Sequence, residues 1–258
     1  MPTRSTSKVV DFRNQSLKLE STASVLELFE GIDLTNVGKG VLTGNMLGVA
    51  AANCKGLGQI FRQMRNLKVV KLANLGLNPQ GGQTLANALL ASAKNSRVLN
   101  QPSNLRVLVI SRNLLRDASA SNWGEVIAAH PNLTRLDMLH KNGARGWKAE
   151  SDVLRMAKDL EYLDLSACML ESDGYVRIIA TLGQQTYPKL HTIELGGNAF
   201  IEVHYKTLRG LFTSKLHSLA TLDLSGNEDL EDNADISAIA EILEIRKSRR
   251  ATHPRGIG

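Results

Sequence analysis

The sequence predicts an α/β solenoid of about 7–8 stacked units, with a curved parallel β-sheet inside and helices outside. Three observations carry this prediction. One spacing of apolar residues recurs along most of the chain. The stretches between recurrences have helical periodicity. Aromatic residues make up only 4% of a chain that is 43% hydrophobic, which suits a core of Leu, Ile, Val and Ala better than a sandwich or barrel.

The recurring spacing is L-x-x-L-x-L-x-x-N/C-x-L. Weak echoes come first: Val10, Phe12, Gln15 and Leu17, around a strand-like VVDF, and then Phe29, Ile32, Leu34 and Val37. The apolar residues of GNMLGVAAANCKGLGQIFRQM suit a helix despite its glycines. Leu67, Val70, Leu72, Leu75 and Leu77 keep the frame, with Leu75 in the Asn/Cys position. PQGGQTLANALLASAKN then reads as a helix, with Asn78 as its cap and Pro79 at its first position.

Three full matches follow: Leu105, Leu108, Ile110, Asn113, Leu115; Leu160, Leu163, Leu165, Cys168, Leu170; and Leu190, Ile193, Leu195, Asn198, Phe200. Between the first two, Leu133, Leu136 and Met138 begin a unit that breaks when Lys141 takes the Asn position and Gly143 an apolar one. DGYVRIIATLGQQ is a helix with Val176, Ile179 and Ala180 on one face. Leu219, Leu222, Leu224 and Asn227 close the series, with Leu230 one residue late. Frames starting at 67, 105, 133, 160, 190 and 219 make the later units 27 to 30 residues long and the earlier ones about 38.

In each unit the second and third apolar residues alternate inward from a short strand. The Asn or Cys caps the following turn by bonding backbone groups of the neighbouring coil. No unit buries its apolar face alone, so the units stack into one core.

On these motifs the chain resembles leucine-rich repeat proteins over nearly its whole length. Its unit length is similar to the ribonuclease-inhibitor-like class, to which Ran GTPase-activating proteins also belong. The resemblance implies a full helix after each strand. The stacking predicts one domain over 1–245, and the composition a basic tail over 246–258. The Ran activators' functional Arg and Asn lie on repeat edges, and none aligns with a specific position here. Those activators carry an acidic tail, whereas this chain ends in a basic one.

The net charge of +6 belongs to the ends. Arg246, Lys247, Arg249, Arg250 and Arg255 follow Ile245 without an acid, and Arg4 and Lys8 lie at the other end, leaving Val9 to Ile245 near −1. Such a tail is expected to stay solvated or to contact an anionic partner, whether RNA backbone, anionic lipid or an acidic protein face.

Cys54 and Cys168 stand far apart without nearby ligand spacing, so neither a disulfide framework nor a metal site is expected. GIDLTNVGKG fails the phosphate-loop pattern at Asp33 and Gly40. No hydrolase or metalloprotease motif occurs, so no catalytic residue, cofactor or metal is expected, and the chain is read as a non-enzyme. No apolar run reaches the roughly 18 to 20 residues of a spanning helix, so membrane insertion is not expected. The location expected is intracellular, cytoplasmic or nuclear, with a mitochondrial address as the organellar alternative.

Residues between the inward positions should face outward from the sheet: Asp11, Asp33, Lys71, Val109, Asp137, Asp164, Glu194 and Asp223. The last four would form a negative stripe, flanked by Arg135, Tyr162, Thr192 and Thr221. Tyr162 is the aromatic anchor of that face. Beyond Met138, the irregular unit gathers Lys141, Arg145, Trp147 and Lys148, a set suited to docking or cation–π contact.

These features predict a protein-interaction scaffold within a larger intracellular complex, including a ribonucleoprotein contacted through the tail. A GTPase-activating or GTPase-binding regulator is the second reading. A cytoskeletal or flagellar component is the third.

Overall fold

The computed structural model describes residues 8–98, 104–138, 154–168, 170, 172–198, 200–227 and 234–252. Among the described residues, eight strands form one parallel sheet in sequence order. They are β1 (Lys8–Asp11), β2 (Val37–Val41), β3 (Val69–Lys71), β4 (Val107–Val109), β5 (Arg135–Asp137), β6 (Tyr162–Asp164), β7 (Thr192–Glu194) and β8 (Thr221–Asp223). The α-helices among the described residues are α1 (Thr22–Leu28), α2 (Ala51–Gln63), α3 (Pro79–Val98), α4 (Arg116–Ala129), α5 (Ser172–Gly183), α6 (Glu202–Ser214) and α7 (Ala234–Thr252). This is the leucine-rich repeat solenoid that the spacing predicts.

Register places one residue per strand in a continuous inward row: Val10, Gly40, Val70, Leu108, Leu136, Leu163, Ile193 and Leu222. Five of these, Val70, Leu108, Leu136, Leu163 and Ile193, have no solvent exposure. The next inward positions, Leu72, Ile110, Met138, Leu165 and Leu195, are also buried and join the same core.

The second coil departs from the sequence reading. Asp33 does not lie on the sheet; it caps a single 3-10 turn over Leu34–Asn36, accepting a hydrogen bond from Thr35 N at 3.2 Å. The strand begins at Val37, and the coil reads Val37, Gly40, Leu42, Asn45, Leu47. Gly40 conceals the frame because it stands where Leu is expected. The Phe61 and Leu67 side chains lie 3.7 and 3.9 Å from where its Cβ would be, and they occupy that place in the core. The unit from 37 to 67 is therefore 30 residues, and only that from 67 to 105 has 38.

The turn-capping position behaves as the spacing requires. Asn45 Nδ2 donates to Phe12 O and Leu42 O at 2.6 and 3.0 Å, binding the first coil to the second. Asn113 and Asn198 repeat this geometry. Cys168 is a weaker equivalent, its Sγ donating to Met138 O at 3.3 Å. The residue before each cap has a left-handed backbone: Asn14, Gly44, Asn74, Arg112, Ala167, Gly197 and Gly226 have φ between 48° and 77°. Glycine and asparagine tolerate this best. Arg112 and Ala167 hold it against a steric penalty.

The helices follow the predicted signals with one correction. Asn78 Oδ1 accepts from Gly81 N at 2.8 Å and caps α3, with Pro79 in the first turn. In α2, the glycines admit a close neighbour: a Cβ on Gly56 would lie 2.8 Å from Val25 Cβ of α1. In α5 the buried face is Tyr175, Ile178, Ile179 and Leu182, not Val176, Ile179 and Ala180. Val176 is 55% exposed. The stripe at i, i+3, i+4 and i+7 starts one residue earlier, with Tyr175 as its first member.

α7 carries the backbone to Thr252, so Arg246, Lys247, Arg249 and Arg250 stand on a helix that continues past the expected start of the tail. Arg255 lies outside the described residues. No helix among the described residues is long and apolar enough to cross a membrane.

Candidate protein-docking face

Two outward rows cross the sheet, one on each side of the inward row. The first runs Val9, Lys39, Val69, Val107, Arg135, Tyr162, Thr192, Thr221. The second runs Asp11, Val41, Lys71, Val109, Asp137, Asp164, Glu194, Asp223. Strand register thus brings together Arg135, Asp137, Tyr162, Asp164, Glu194 and Asp223 on β5–β8, as the spacing predicts. Lys141, Arg145, Trp147 and Lys148 lie outside the described residues.

The polar cluster is internally organised. The Arg135 guanidinium lies 3.7 Å from the Tyr162 ring centroid. It also reaches Asp137, with Nη2 3.8 Å from Oδ2. Cation–π contact of this kind contributes about 0.5–1 kcal/mol at an exposed site, and it fixes the ring as a platform. Glu194 lies on the next strand, within electrostatic range of the Tyr162 hydroxyl. Burial pushes the Tyr162 hydroxyl well above its ordinary pKa, and the neighbouring Glu194 and Asp164 carboxylates add to the shift.

Glu194 sits between two carboxylates. Burial raises its pKa above the ordinary 4.5; the neighbouring Tyr162 opposes the shift, and Asp164 and Asp223 add to it by like-charge repulsion. Asp164 is only 5% exposed, and its Oδ1 accepts from Ser166 N at 2.9 Å. Asp223 does the same with Ser225 N at 2.8 Å. The strand ends therefore hold these acids in place.

The raised Glu194 pKa has a defined pH consequence. The native state holds this proton more tightly than the unfolded chain, so its contribution to stability grows as pH falls through the raised pKa towards 4.5. Between about pH 5 and pH 7, the wild-type chain should lose more melting temperature than the Glu194→Gln variant. Equal shifts in the two proteins would show that Glu194 titrates as an ordinary surface acid.

The other end of the face has a different character. Asp11 is engaged by Arg13, whose Nε lies 2.9 and 3.0 Å from the two carboxylate oxygens. The Arg13 guanidinium lowers the Asp11 carboxyl to about 2. Lys39 and Val41 belong to the strand that Gly40 conceals, and the outward-row reading omits them. The Asn45 and Leu47 spacing would have revealed them. Along the strand-to-helix rim, Met46, Val49 and Leu114 are 60%, 56% and 47% exposed. Among the described residues, no group of three or more His, Cys, Asp or Glu is arranged to hold a metal ion.

No family model matches the chain. It is similar to Ran GTPase-activating protein 1 of Saccharomyces cerevisiae, 22% identical over 202 residues, covering 65% of this chain and 49% of that protein. It is also similar to the Ran GTPase-activating protein of Drosophila melanogaster, 37% identical over 82 residues, which cover 31% of this chain and 13% of that protein. The chain thus spans about half the length of the yeast relative and a smaller part of the fly one.

Proposed function

We propose that this chain is a GTPase-binding regulator of the activating type, a solenoid that docks a small GTPase and supplies no nucleotide site of its own. The observation that carries this reading is the similarity to two Ran GTPase-activating proteins, one of them extending over 65% of the chain. The sheet face supports a protein partner on physical grounds. Arg135 and Tyr162 are residue types that anchor interfaces. Asp137, Asp164, Glu194 and Asp223 offer electrostatic complementarity to a basic partner surface.

The segment holding Lys141, Arg145, Trp147 and Lys148 enters this proposal as a second contact, and so do the basic residues Arg246, Lys247, Arg249, Arg250 and Arg255. The similarity favours this regulatory reading over a ribonucleoprotein subunit.

Complex formation tests the proposal. The full chain is titrated against a panel of small GTPases beginning with a Ran-type member, each loaded with GDP or a non-hydrolysable GTP analogue. At least one should bind with a preference for the triphosphate state. Glu194→Lys should weaken that binding about tenfold, equivalent to 1.4 kcal/mol. Absence of binding across the panel in both states would overturn the reading.

A further inference from the structure

The two outward rows divide the sheet face by charge. On β2–β4 they present Lys39, Val69, Lys71 and Val107, two cations and two valines with no acid, while Val41 and Val109 are buried. On β5–β8 they present four carboxylates, while the one cation there, Arg135, is turned onto Tyr162 and Asp137. The boundary falls between two adjacent strands, β4 and β5. Lys39, Val69, Lys71 and Val107 are half-buried, so their stems form an apolar floor with ammonium groups at its surface.

We infer that this face takes a single α-helix of a protein partner, laid across the strands with its acidic half over β2–β4 and its basic half over β5–β8. Lys71 on β3 and Glu194 on β7 are four strands apart, about 19 Å at roughly 4.8 Å per strand. A helix covers that distance in about 13 residues at 1.5 Å each. Its macrodipole selects the direction: the positive N-terminus lies over the carboxylates and the negative C-terminus over the lysines. Aliphatic residues between the charged halves rest on Val69, Val107 and the Tyr162 ring. The inference is independent of whether the partner is a GTPase, because it rests on strand register and charge alone.

The probe is a stapled helical peptide of about 18 residues, with lysines in its N-terminal half and glutamates in its C-terminal half. The control is a stapled peptide of identical composition with the charges interleaved. Fluorescence anisotropy with the full chain at low salt should show the divided peptide binding about tenfold more tightly than the interleaved one. Lys39→Glu combined with Lys71→Glu makes the whole face acidic. This variant should lose about tenfold for the divided peptide and gain for an all-lysine peptide. If it fails to fold, Lys39→Gln with Lys71→Gln must still narrow the difference between divided and interleaved peptides. Equal binding of the two peptides to the wild-type chain, or unchanged binding to a folded reversal variant, would overturn the inference.

Discussion

Asn113→Ala should lower the stability of the chain by about 3–5 kcal/mol, because each buried polar group left without a partner costs about 1–3 kcal/mol. The Asn113 side chain is 2% exposed. Its Oδ1 accepts from Leu75 N and Leu77 N, both at 3.1 Å. Its Nδ2 donates to Leu72 O, Ile110 O and Ser111 O at 2.9, 2.8 and 3.2 Å. One amide thus serves its own coil and the coil before it, where Leu75 occupies the capping position and has no polar group to offer. Alanine removes all five bonds and admits no solvent in exchange. Urea denaturation reads the loss, and hydrogen exchange locates it, since the Leu75 and Leu77 amides should lose protection first. Asn227→Ala should cost less, about 1–2 kcal/mol, because Asn227 is only partly buried. A loss under about 1 kcal/mol for Asn113→Ala would contradict the cap's role.

Phe200→Ala should cost a similar 3–5 kcal/mol or so, the usual range for emptying a buried aromatic site. Phe200 has no solvent exposure. It stacks on Tyr205 with centroids 5.6 Å apart and meets His204 edge-on at 5.7 Å, and Tyr175 lies edge-on to the same ring. Few aromatic residues occur in this chain, and three of them gather here with His204 between β7 and the helices α5 and α6. Burial lowers the His204 pKa, favouring the neutral imidazole. Its Nδ1 accepts from Ile201 N at 3.2 Å, closing the start of α6. Removing Phe200 leaves Tyr175, His204 and Tyr205 around a void. Phe200→Leu fills most of it and should cost less than about 1.5 kcal/mol if neighbours repack. Similar losses in both variants would indicate that specific ring contacts, not volume, hold the cluster.

The repeat frame was legible because its physical cause is strict. A strand with two inward residues and a cap nine positions into the unit tolerates few substitutions; coils four, six and seven show it in full, and coils three, five and eight keep its inward strand positions. Coil two was hidden by Gly40. The core there is filled from α2 by Phe61, so the position needs no side chain of its own. Searching upstream for a leucine then shifts the frame onto Leu34 and puts Asp33 wrongly on the sheet. The outward residues of β5–β8 were legible from alternation alone. What alternation does not encode is the cross-strand chemistry: Arg135 over Tyr162, and the crowding of Glu194 by Asp164 and Asp223, depend on side-chain reach between strands.

The chain's end illustrates a different limit. A run of Arg and Lys without acids reads as tail by composition, yet Ile236, Ile239, Ile242 and Leu243 give α7 an apolar side against the core. Arg and Lys are good helix formers, so the backbone continues helically to Thr252 once that side has docked. In α5, the hydroxyl makes Tyr175 ambiguous between core and surface. Buried, it reaches Leu195 O at 3.4 Å, which satisfies the polar end.

The regulatory reading places the chemistry on the partner and the recognition on the solenoid. Activating proteins of this general kind act by completing or reorganising the GTPase's own site. The most direct measurement is single-turnover GTP hydrolysis by the small GTPase that binds best, with and without the full chain. The reading predicts acceleration on the order of 10³-fold or more, saturating with the binding curve and falling in parallel with affinity for Glu194→Lys. A hydrolysis rate unchanged at saturating chain would contradict an activating role.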